Sequence, residues 1–181
     1  TLLASTLVAA AALAAPAVAE TLKIGLATAQ TGGLAGYDGP VIEGLHIAVD
    51  EINAAGGIDG NIMIELIEKD VRSDAAQTAI AVQELADEAV AVIVLPCDAD
   101  PSLAAIGTIS SAQIPAISTC ASSPTLPMIG GDFMFANFPG DNVQATVSAE
   151  WAWGEGHKSA YIIYSPDSQY TTMPLYFGDV F

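Results

Sequence analysis

Three short loops of this 181-residue chain carry side chains suited to binding a small polar molecule. Each loop follows an apolar segment, and the loops span residues 30–39, 96–100 and 118–124. The first is rich in glycine and holds a single aromatic ring, Tyr37, and the third is rich in serine and threonine. Ligands of open α/β sheets bind beyond the carboxyl ends of the strands, where loops and helix N-termini offer unpaired N–H groups. The pattern therefore predicts a ligand site if the three apolar segments are parallel strands.

The sequence contains no arrangement of residues that is typical of an enzyme. It has no nucleophile elbow, no Walker phosphate loop and no ordered G-x-G-x-x-G. The serine pairs at 110–111 and 122–123 have no evident His and Asp partners. Both histidines, His46 and His157, are expected on the surface, the first beside a helix stripe and the second in a turn. We therefore expect no catalytic activity, no cofactor and no metal ion.

Apolar segments alternate with helical patterns after residue 20. The predicted strands are 22–28, 62–68, 91–95, 114–119, 133–137 and 160–164. The predicted helices run from near Pro40 to Gly56, over 74–87, from the cap Asp100 and Pro101 onward, and over 140–156, with a broken helix start over 172–180. Strands that alternate with helices favour parallel pairing and right-handed crossovers. The expected fold class is α/β, a parallel sheet in a three-layer lobe.

The first two helices show apolar residues at helical spacing, which predicts the faces that they turn to the core. The predicted inward residues are Val41, Leu45, Ala48, Val49 and Ile52 in the first helix and Ala76, Ala79, Ile80 and Leu85 in the second.

Residues 1–19 have the pattern of a secretion signal. An unbroken run of apolar and small side chains covers residues 2–15 and is too short to cross a bilayer. It leads to Ala17-Val18-Ala19, a small-x-small site that we expect to be cleaved before Glu20. A buried helix is the alternative, but the segment has no polar face. Because the residue directly after the expected cleavage site is Glu20 and not a cysteine, we expect a periplasmic protein without a lipid anchor.

The chain is strongly acidic, and this limits its partners. It has 21 acidic residues against 4 Lys and Arg, which gives a formal net charge of −17. Nucleic acids and anionic membrane surfaces carry charge of the same sign, so neither is an expected partner. No segment after residue 20 is apolar over a length that could cross a bilayer. We expect no membrane insertion once the signal has been cleaved.

Three stretches together resemble the periplasmic solute-binding proteins of branched-chain amino-acid-type (leucine/isoleucine/valine-binding) ABC importers. They are KIGLATAQTGGLAGYDG from Lys23, GLHIAVDEINAAGGIDG from Gly44 and KDVRSDAAQTAIAVQEL from Lys69. The resemblance extends from about Thr21 to the last residue. It implies a type I periplasmic-binding fold, with two α/β lobes joined by crossing hinge strands, in a protein about twice as long.

The signal pattern and this resemblance together divide the chain into three expected parts. Residues 1–19 are the signal peptide, without its charged n-region, and residues 20–138 are lobe one, which anchors the ligand. Residues 139–181 are the hinge crossing and the start of a truncated lobe two. A compact single-lobe flavodoxin-like protein is the alternative.

The resemblance also implies roles for five residues. Tyr37 matches the family tyrosine that lies against the ligand side chain, and Tyr170 matches the aromatic of lobe two that closes over the ligand. Ser122 falls where the family uses Thr or Ser to donate a hydrogen bond, and Cys120 falls where the family binds through its main chain. Asp98 falls where amino-acid-binding members use a small hydroxyl residue to bind the ligand carboxylate. Two facing carboxylates repel, so either Asp98 is a loop cap in solvent, the register differs slightly, or the ligand is a cation, an amide, urea or a polyol.

The two cysteines, Cys97 and Cys120, follow the predicted strands 91–95 and 114–119. If these strands are neighbours, the two Cα atoms come within the roughly 4.4–6.8 Å that a disulfide needs. An oxidising periplasm favours the bond. In the resembled family the first cysteine pairs with one after the second strand, where this chain has none, and the departure favours a Cys97–Cys120 disulfide that lines the pocket. Free thiols and a metal site that includes Asp98 are the alternatives.

The function implied by the resemblance is capture of a small polar ligand, such as an amino acid or an amide, for delivery to the membrane permease of an ABC importer. Two lobes close on the ligand, and the importer recognises the closed form. Such a protein is expected to be a monomer. The ligand-sensing domain of a receptor or of an amide-type regulator has the same fold and is the alternative. An enzyme on a flavodoxin-like single lobe is a third candidate.

Overall fold

The structure is a computed structural model that describes residues 20–164 and 168–181, with the backbone alone for residues 168–171. The expected signal peptide, residues 1–19, lies outside the described residues. Strands and helices alternate along most of the described chain.

A five-stranded sheet forms the centre of the structure, with all neighbouring strands parallel and in the order β2-β1-β3-β4-β5. The strands are β1 (Glu20–Thr28), β2 (Ile62–Asp70), β3 (Val92–Leu95), β4 (Ala116–Ser118) and β5 (Met134–Ala136). The expected α/β class with a parallel sheet is confirmed. The first five predicted strands are all present, each within two residues of its expected bounds.

Helices connect the strands, as parallel pairing requires. They are α1 (Ala35–Ala54), α2 (Ala75–Asp87), α3 (Ala99–Ala104), α4 (Ile106–Ala112), α5 (Thr125–Gly130), α6 (Asp141–Gly154) and α7 (Ser168–Val180), and a 3-10 turn (Gly131–Phe133) precedes β5. The predicted cap of α2 is confirmed, because the Asp74 side chain accepts a hydrogen bond from Gln77 N at 2.8 Å.

The core lies where the central strands meet the helices that follow them. Its largest fully buried apolar side chains are Leu26, Leu85, Ile93, Leu95, Ile109 and Leu126. Gly25 lets α2 approach β1 closely, since a Cβ built on this glycine would lie 3.0 Å from Leu85 Cδ1. Leu85 therefore packs directly against the backbone of β1.

The predicted inward faces of the two long helices are only partly correct. Helix α2 buries Thr78, Ala81, Val82 and Leu85, so the prediction is right for Leu85 and wrong for Ile80, which is exposed. Helix α1 buries Val49, but Ala48 and Ile52 of its predicted stripe are exposed. Helix α1 packs mainly along β2 at the edge of the sheet, and a single neighbour covers only a narrow face of a helix.

Helix α1 begins before Pro40, at Ala35, so the predicted start is wrong. Tyr37 N and Asp38 N donate to Leu34 O at 2.9 and 3.0 Å and form the first turn. Tyr37 is consequently a helical residue and not a loop residue. The buried side chain of Asp38 fixes this early turn against the ends of the strands, a contact between distant parts of the chain that local sequence does not reveal.

Helix α3 begins two residues before its predicted start. Its N-cap is Asp98, whose Oδ1 accepts a hydrogen bond from Asp100 N at 3.0 Å. Pro101 is then the third residue of the helix, where its missing N–H is still among the four donors that have no helical acceptor. The predicted cap at Asp100 is wrong, because the Asp98 side chain already satisfies the first turn.

Residues 160–164 do not form the predicted strand. Tyr161 is 90% exposed and Ile163 is 86% exposed. A strand needs a neighbour for its backbone hydrogen bonds, and none of the described strands pairs with this segment. The predicted broken helix start is instead the helix α7, which contains Pro174 and packs against α6.

The helices of the described residues are all too short or too polar to cross a membrane.

The contact between Leu85 and β1 predicts a large cost for a single substitution. Leu85→Ala should lower the free energy of unfolding by about 2–5 kcal/mol, because it removes a fully buried side chain and leaves a cavity beside Gly25. Ile80→Ala on the same helix truncates an exposed side chain and should cost about 0.5 kcal/mol or less. Urea unfolding at pH 7 measures both, and similar costs for the two variants would contradict this packing.

Candidate ligand-binding site

The loops that follow β1, β3 and β4 lie side by side, because these strands are consecutive neighbours in the sheet. In the register of the sheet, Leu26 pairs with Val94, and Leu95 pairs with Ser118. All the strands run in one direction, so the three loops leave the sheet at the same edge. The structure thus brings together the three loops that the sequence singles out, at the edge where open α/β sheets bind ligands.

A buried carboxylate connects two of these loops. Asp38 is 1% exposed, and its Oδ2 accepts a hydrogen bond from Ala29 N at 2.6 Å, just beyond β1. Its Oδ1 accepts one from Cys97 N at 2.8 Å, just beyond β3. Burial raises the pKa of Asp38, and the two hydrogen bonds act in the opposite direction. One side chain therefore satisfies amides on two different loops.

A disulfide and a hydroxyl connect the second loop to the third. Cys97 and Cys120 form a disulfide with their Cα atoms 4.6 Å apart. Beneath it, Ser118 Oγ donates to Pro96 O at 3.1 Å and accepts from Ala121 N at 3.2 Å. The disulfide and the bond from Ser118 to Pro96 link the loop after β3 to the end of β4 and the loop that follows it.

The loop after β1 is also held from its other side, by the end of β2. Asp70 accepts hydrogen bonds from Gln30 N at 3.0 Å, Thr31 N at 3.2 Å, Thr31 Oγ1 at 2.7 Å and Arg72 N at 2.9 Å. Ser73 Oγ donates a hydrogen bond to Thr31 O at 2.9 Å and accepts one from Leu34 N at 2.9 Å. Burial alone acts to raise the pKa of Asp70, but the hydrogen bonds from Thr31, Arg72 and Gln30 together hold it below its usual value.

The structure places four of the five predicted ligand residues, Tyr37, Asp98, Cys120 and Ser122, in the segments that follow β1, β3 and β4. Tyr37 is 62% exposed in the first turn of α1, and Asp98 is half-buried as the cap of α3. Cys120 is in the disulfide, and Ser122 is buried two residues further along the same loop. Tyr170 is in α7, and its side chain lies outside the described part of the structure. The contacts of these residues with a ligand stay predictions.

Sequence reasoning assigned no role in the site to two acidic residues that lie near helix starts. One is Asp38, and the other is Asp141, which is 1% exposed at the first position of α6. Asp141 N donates to Ser122 O at 2.8 Å, and Asp141 Oδ2 accepts from Thr172 Oγ1 at 2.5 Å. Its Oδ1 is buried and has no hydrogen-bond partner among the described residues. Only the proximity of each carboxylate to a predicted binding residue would have drawn attention to it.

The described residues include no group of three or more His, Cys, Asp or Glu side chains that could hold a metal ion. The chemistry of this edge is instead that of hydrogen bonding: hydroxyls, main-chain amides and carboxylates around a disulfide. Such groups can orient a small molecule that carries charges or polar atoms.

The fold and the residue pattern define a class of protein. A family model described as periplasmic binding protein matches residues 21–173. The chain therefore belongs to the periplasmic binding protein family. The described residues form a lobe of the type I fold of that family, as the sequence predicts.

Several solved structures of substrate-binding proteins are similar to this chain. The chain is 34% identical to the branched-chain amino acid transporter substrate-binding protein LivJ of Streptococcus pneumoniae, solved with isoleucine, with a TM-score of 0.68 over 74% of this chain and 38% of that one. It is 28% identical to an ABC transporter substrate-binding protein of Desulfitobacterium hafniense, solved with leucine, with a TM-score of 0.79 over 89% of this chain and 47% of that one.

A third structure shares the fold at lower identity. It is a solute-binding protein of Rhodopseudomonas palustris, 21% identical, with a TM-score of 0.80 over 88% of this chain and 43% of that one. The chain thus spans less than half the length of each of these structures. Comparison with curated protein sequences gives no match.

The hydrogen bonds to Asp70 predict a dependence of stability on pH. Because its pKa is lowered from 3.8 on folding, Asp70 stabilises the fold fully above that pH and loses this contribution as the pH falls through the lowered value. Asp70→Asn should therefore cost about 1 kcal/mol at pH 7, after allowance for partial exposure, and less near pH 3.

Urea unfolding of both proteins between pH 7 and pH 3 measures this difference. Asp50→Asn removes an exposed carboxylate of α1 and is the matched control for the loss of one charge. A difference between Asp70→Asn and the unsubstituted protein that stays constant over this range would contradict the assignment.

Proposed function

We propose that this chain is the ligand-anchoring lobe of an extracytoplasmic substrate-binding protein that delivers an apolar α-amino acid to an ABC importer. Membership in the periplasmic binding protein family supports the class. Two relatives at 34% and 28% identity, solved with isoleucine and with leucine, support the ligand class. The acidic site supports a ligand that carries an ammonium group.

The observation that carries the proposal is the position of Asp141 beside Ser122. A buried carboxylate oxygen without a partner is costly, because it has lost water and gained no donor in return. Asp141 Oδ1 is such an oxygen, and Asp141 N is bonded to the main chain of Ser122 at 2.8 Å. The ammonium group of an amino acid would supply the missing donor and a compensating charge.

The remaining contacts follow from the same loop. In this proposal the Ser122 hydroxyl and the main chain at Cys120 bind the ligand carboxylate. Asp98 acts in this proposal as the cap of α3, where its Oδ1 accepts a hydrogen bond from Asp100 N, and it is not assigned a ligand contact. The ring of Tyr37, which is exposed in this structure, packs against the apolar side chain of the ligand. This contact removes apolar surface of both from water.

Access to this site requires movement. Thr172 of α7 covers Asp141 by bonding to its Oδ2, and α7 packs along α6. A ligand therefore enters while α7 is displaced, and Tyr170 of the same helix contacts the ligand as the site closes. Closure gives the importer a form to recognise that differs from the open one, and the ligand shifts the equilibrium by binding that form more tightly.

The other features of the proposal concern the whole protein. Residues 1–19 direct its export, it acts in the periplasm as a monomer, and a membrane permease is its partner. The net charge of −17 suits a protein that stays in solution and does not adhere to anionic surfaces.

A cycle of two ligands and one substitution tests the roles at Asp141. Asp141→Asn should weaken the binding of isoleucine by about tenfold to a hundredfold, because a charge-assisted hydrogen bond becomes a neutral one. It should leave the binding of 3-methylpentanoate, which is isoleucine without its ammonium group, almost unaffected. Isothermal titration calorimetry of the full-length protein measures both.

Ile47→Ala, an exposed position on α1, is the control and should leave both affinities unchanged. Equal weakening of the two ligands by Asp141→Asn would remove Asp141 as the ammonium partner. Binding of neither isoleucine nor leucine by the unsubstituted protein would reject the proposed ligand class.

A further inference from the structure

The side chains of Tyr37 and Asp38 differ sharply although they are consecutive residues of α1. The Tyr37 ring is mostly exposed, whereas the Asp38 carboxylate is almost completely buried. A single charged group at that depth has no role in the proposed ligand contacts. Its two hydrogen bonds show what it does instead.

The carboxylate bridges two strands at the point where their own pairing has stopped. Strands β1 and β3 pair from Ile24 with Val92 to Leu26 with Val94. Ala29 and Cys97, whose amides bind Asp38, are each three residues beyond the last pair. The Asp38 carboxylate therefore keeps the two segments aligned beyond the last pair of β1 and β3. It does so by accepting one hydrogen bond from each segment.

Only a side chain with two acceptor oxygens can make this bridge. An ionised carboxylate accepts at both oxygens, whereas an asparagine has one acceptor oxygen and an NH2 group that would face an N–H donor. The substitution leaves one buried amide without a partner, although the size of the side chain hardly changes. Burial of the charge is costly, and the two amides offset part of that cost.

The bridge extends to the third loop through the disulfide. The main-chain N–H of Cys97 donates a hydrogen bond to Asp38, and the Cys97 side chain forms a disulfide with Cys120, which is two residues before Ser122. A continuous path of strong contacts thus runs from α1, which carries Tyr37, to the loop that carries Ser122. We propose that Asp38 is a positioning residue that holds the Tyr37 ring and the Cys97–Cys120 wall in one fixed arrangement for ligand binding.

The role of Asp38 in ligand binding rests on the proposed function, but the bridge itself does not. Its first test uses no ligand. In the unsubstituted full-length protein, the amides of Ala29 and Cys97 should exchange with deuterated water slowly, as measured by NMR. In Asp38→Asn at least one of them should exchange about tenfold faster or more, because it has lost its acceptor.

Asp50→Asn on the exposed face of the same helix should change neither exchange rate. Fast exchange of either amide in the unsubstituted protein would overturn the bridge, and that measurement holds even if Asp38→Asn does not fold. Unchanged exchange of both amides in a folded Asp38→Asn would overturn it as well.

The second test asks whether the bridge positions Tyr37. Tyr37→Ala should weaken isoleucine binding by about tenfold in the unsubstituted protein and by less than about threefold in Asp38→Asn, because the ring is no longer held. Asp38→Glu keeps both acceptor oxygens, so it should bind isoleucine more tightly than Asp38→Asn does.

Equal effects of Tyr37→Ala in the two backgrounds would overturn the positioning role while leaving the proposed function intact. If the unsubstituted protein did not bind isoleucine, the proposed function would fail, and the exchange measurement would still decide the bridge.

Discussion

A carboxylate with one oxygen on each of two neighbouring loops is the contact on which the rest of the site depends. Parallel strands can align their chains only as far as their hydrogen-bond ladder extends, and the ladder between β1 and β3 ends at Leu26 and Val94. Beyond it, each buried amide needs another acceptor. Asp38 supplies that acceptor to Ala29 and Cys97, and so fixes how the two loops lie against each other.

Other contacts at this edge likewise hold neighbouring loops together beyond the ends of their strands. Asp70 accepts from the loop after β1, and Ser118 bonds to both the loop after β3 and the loop after β4. The disulfide between Cys97 and Cys120 adds a covalent link. The edge is therefore organised before any ligand arrives, and a ligand that binds it loses less free energy to the ordering of loops.

The sequence predicted the elements whose signal is local. Buried parallel strands are short apolar runs, and residues 91–95 and 114–119 show them clearly. The segment 160–164 has a similar local signal, but a strand also needs a partner, and the five residues of the segment do not reveal whether a partner strand is present. The start of α1 was missed for a related reason, because the contact that fixes its first turn joins Asp38 to Cys97, 59 residues away.

The candidate site was predicted in outline, but its two buried acidic residues, Asp38 and Asp141, were not. Alternation of strands and helices predicts parallel strands, whose carboxyl ends share one edge of the sheet, so Tyr37, Asp98 and Ser122 were expected near that edge. An aspartate at a helix start is an ordinary cap in most sequences, and nothing local distinguishes Asp98, which is a cap, from Asp38 and Asp141, which are buried. Burial is a property of the whole fold and is read only from the structure.

The central claim is that the ends of β1, β3 and β4 form a single ligand-binding wall. Hydrogen–deuterium exchange of the full-length protein with and without isoleucine, followed by mass spectrometry of peptides, tests it directly. Slower exchange with isoleucine in all three segments, 29–38, 97–102 and 119–123, is the predicted result. Slower exchange confined to one of them, or found only elsewhere in the protein, would contradict the account.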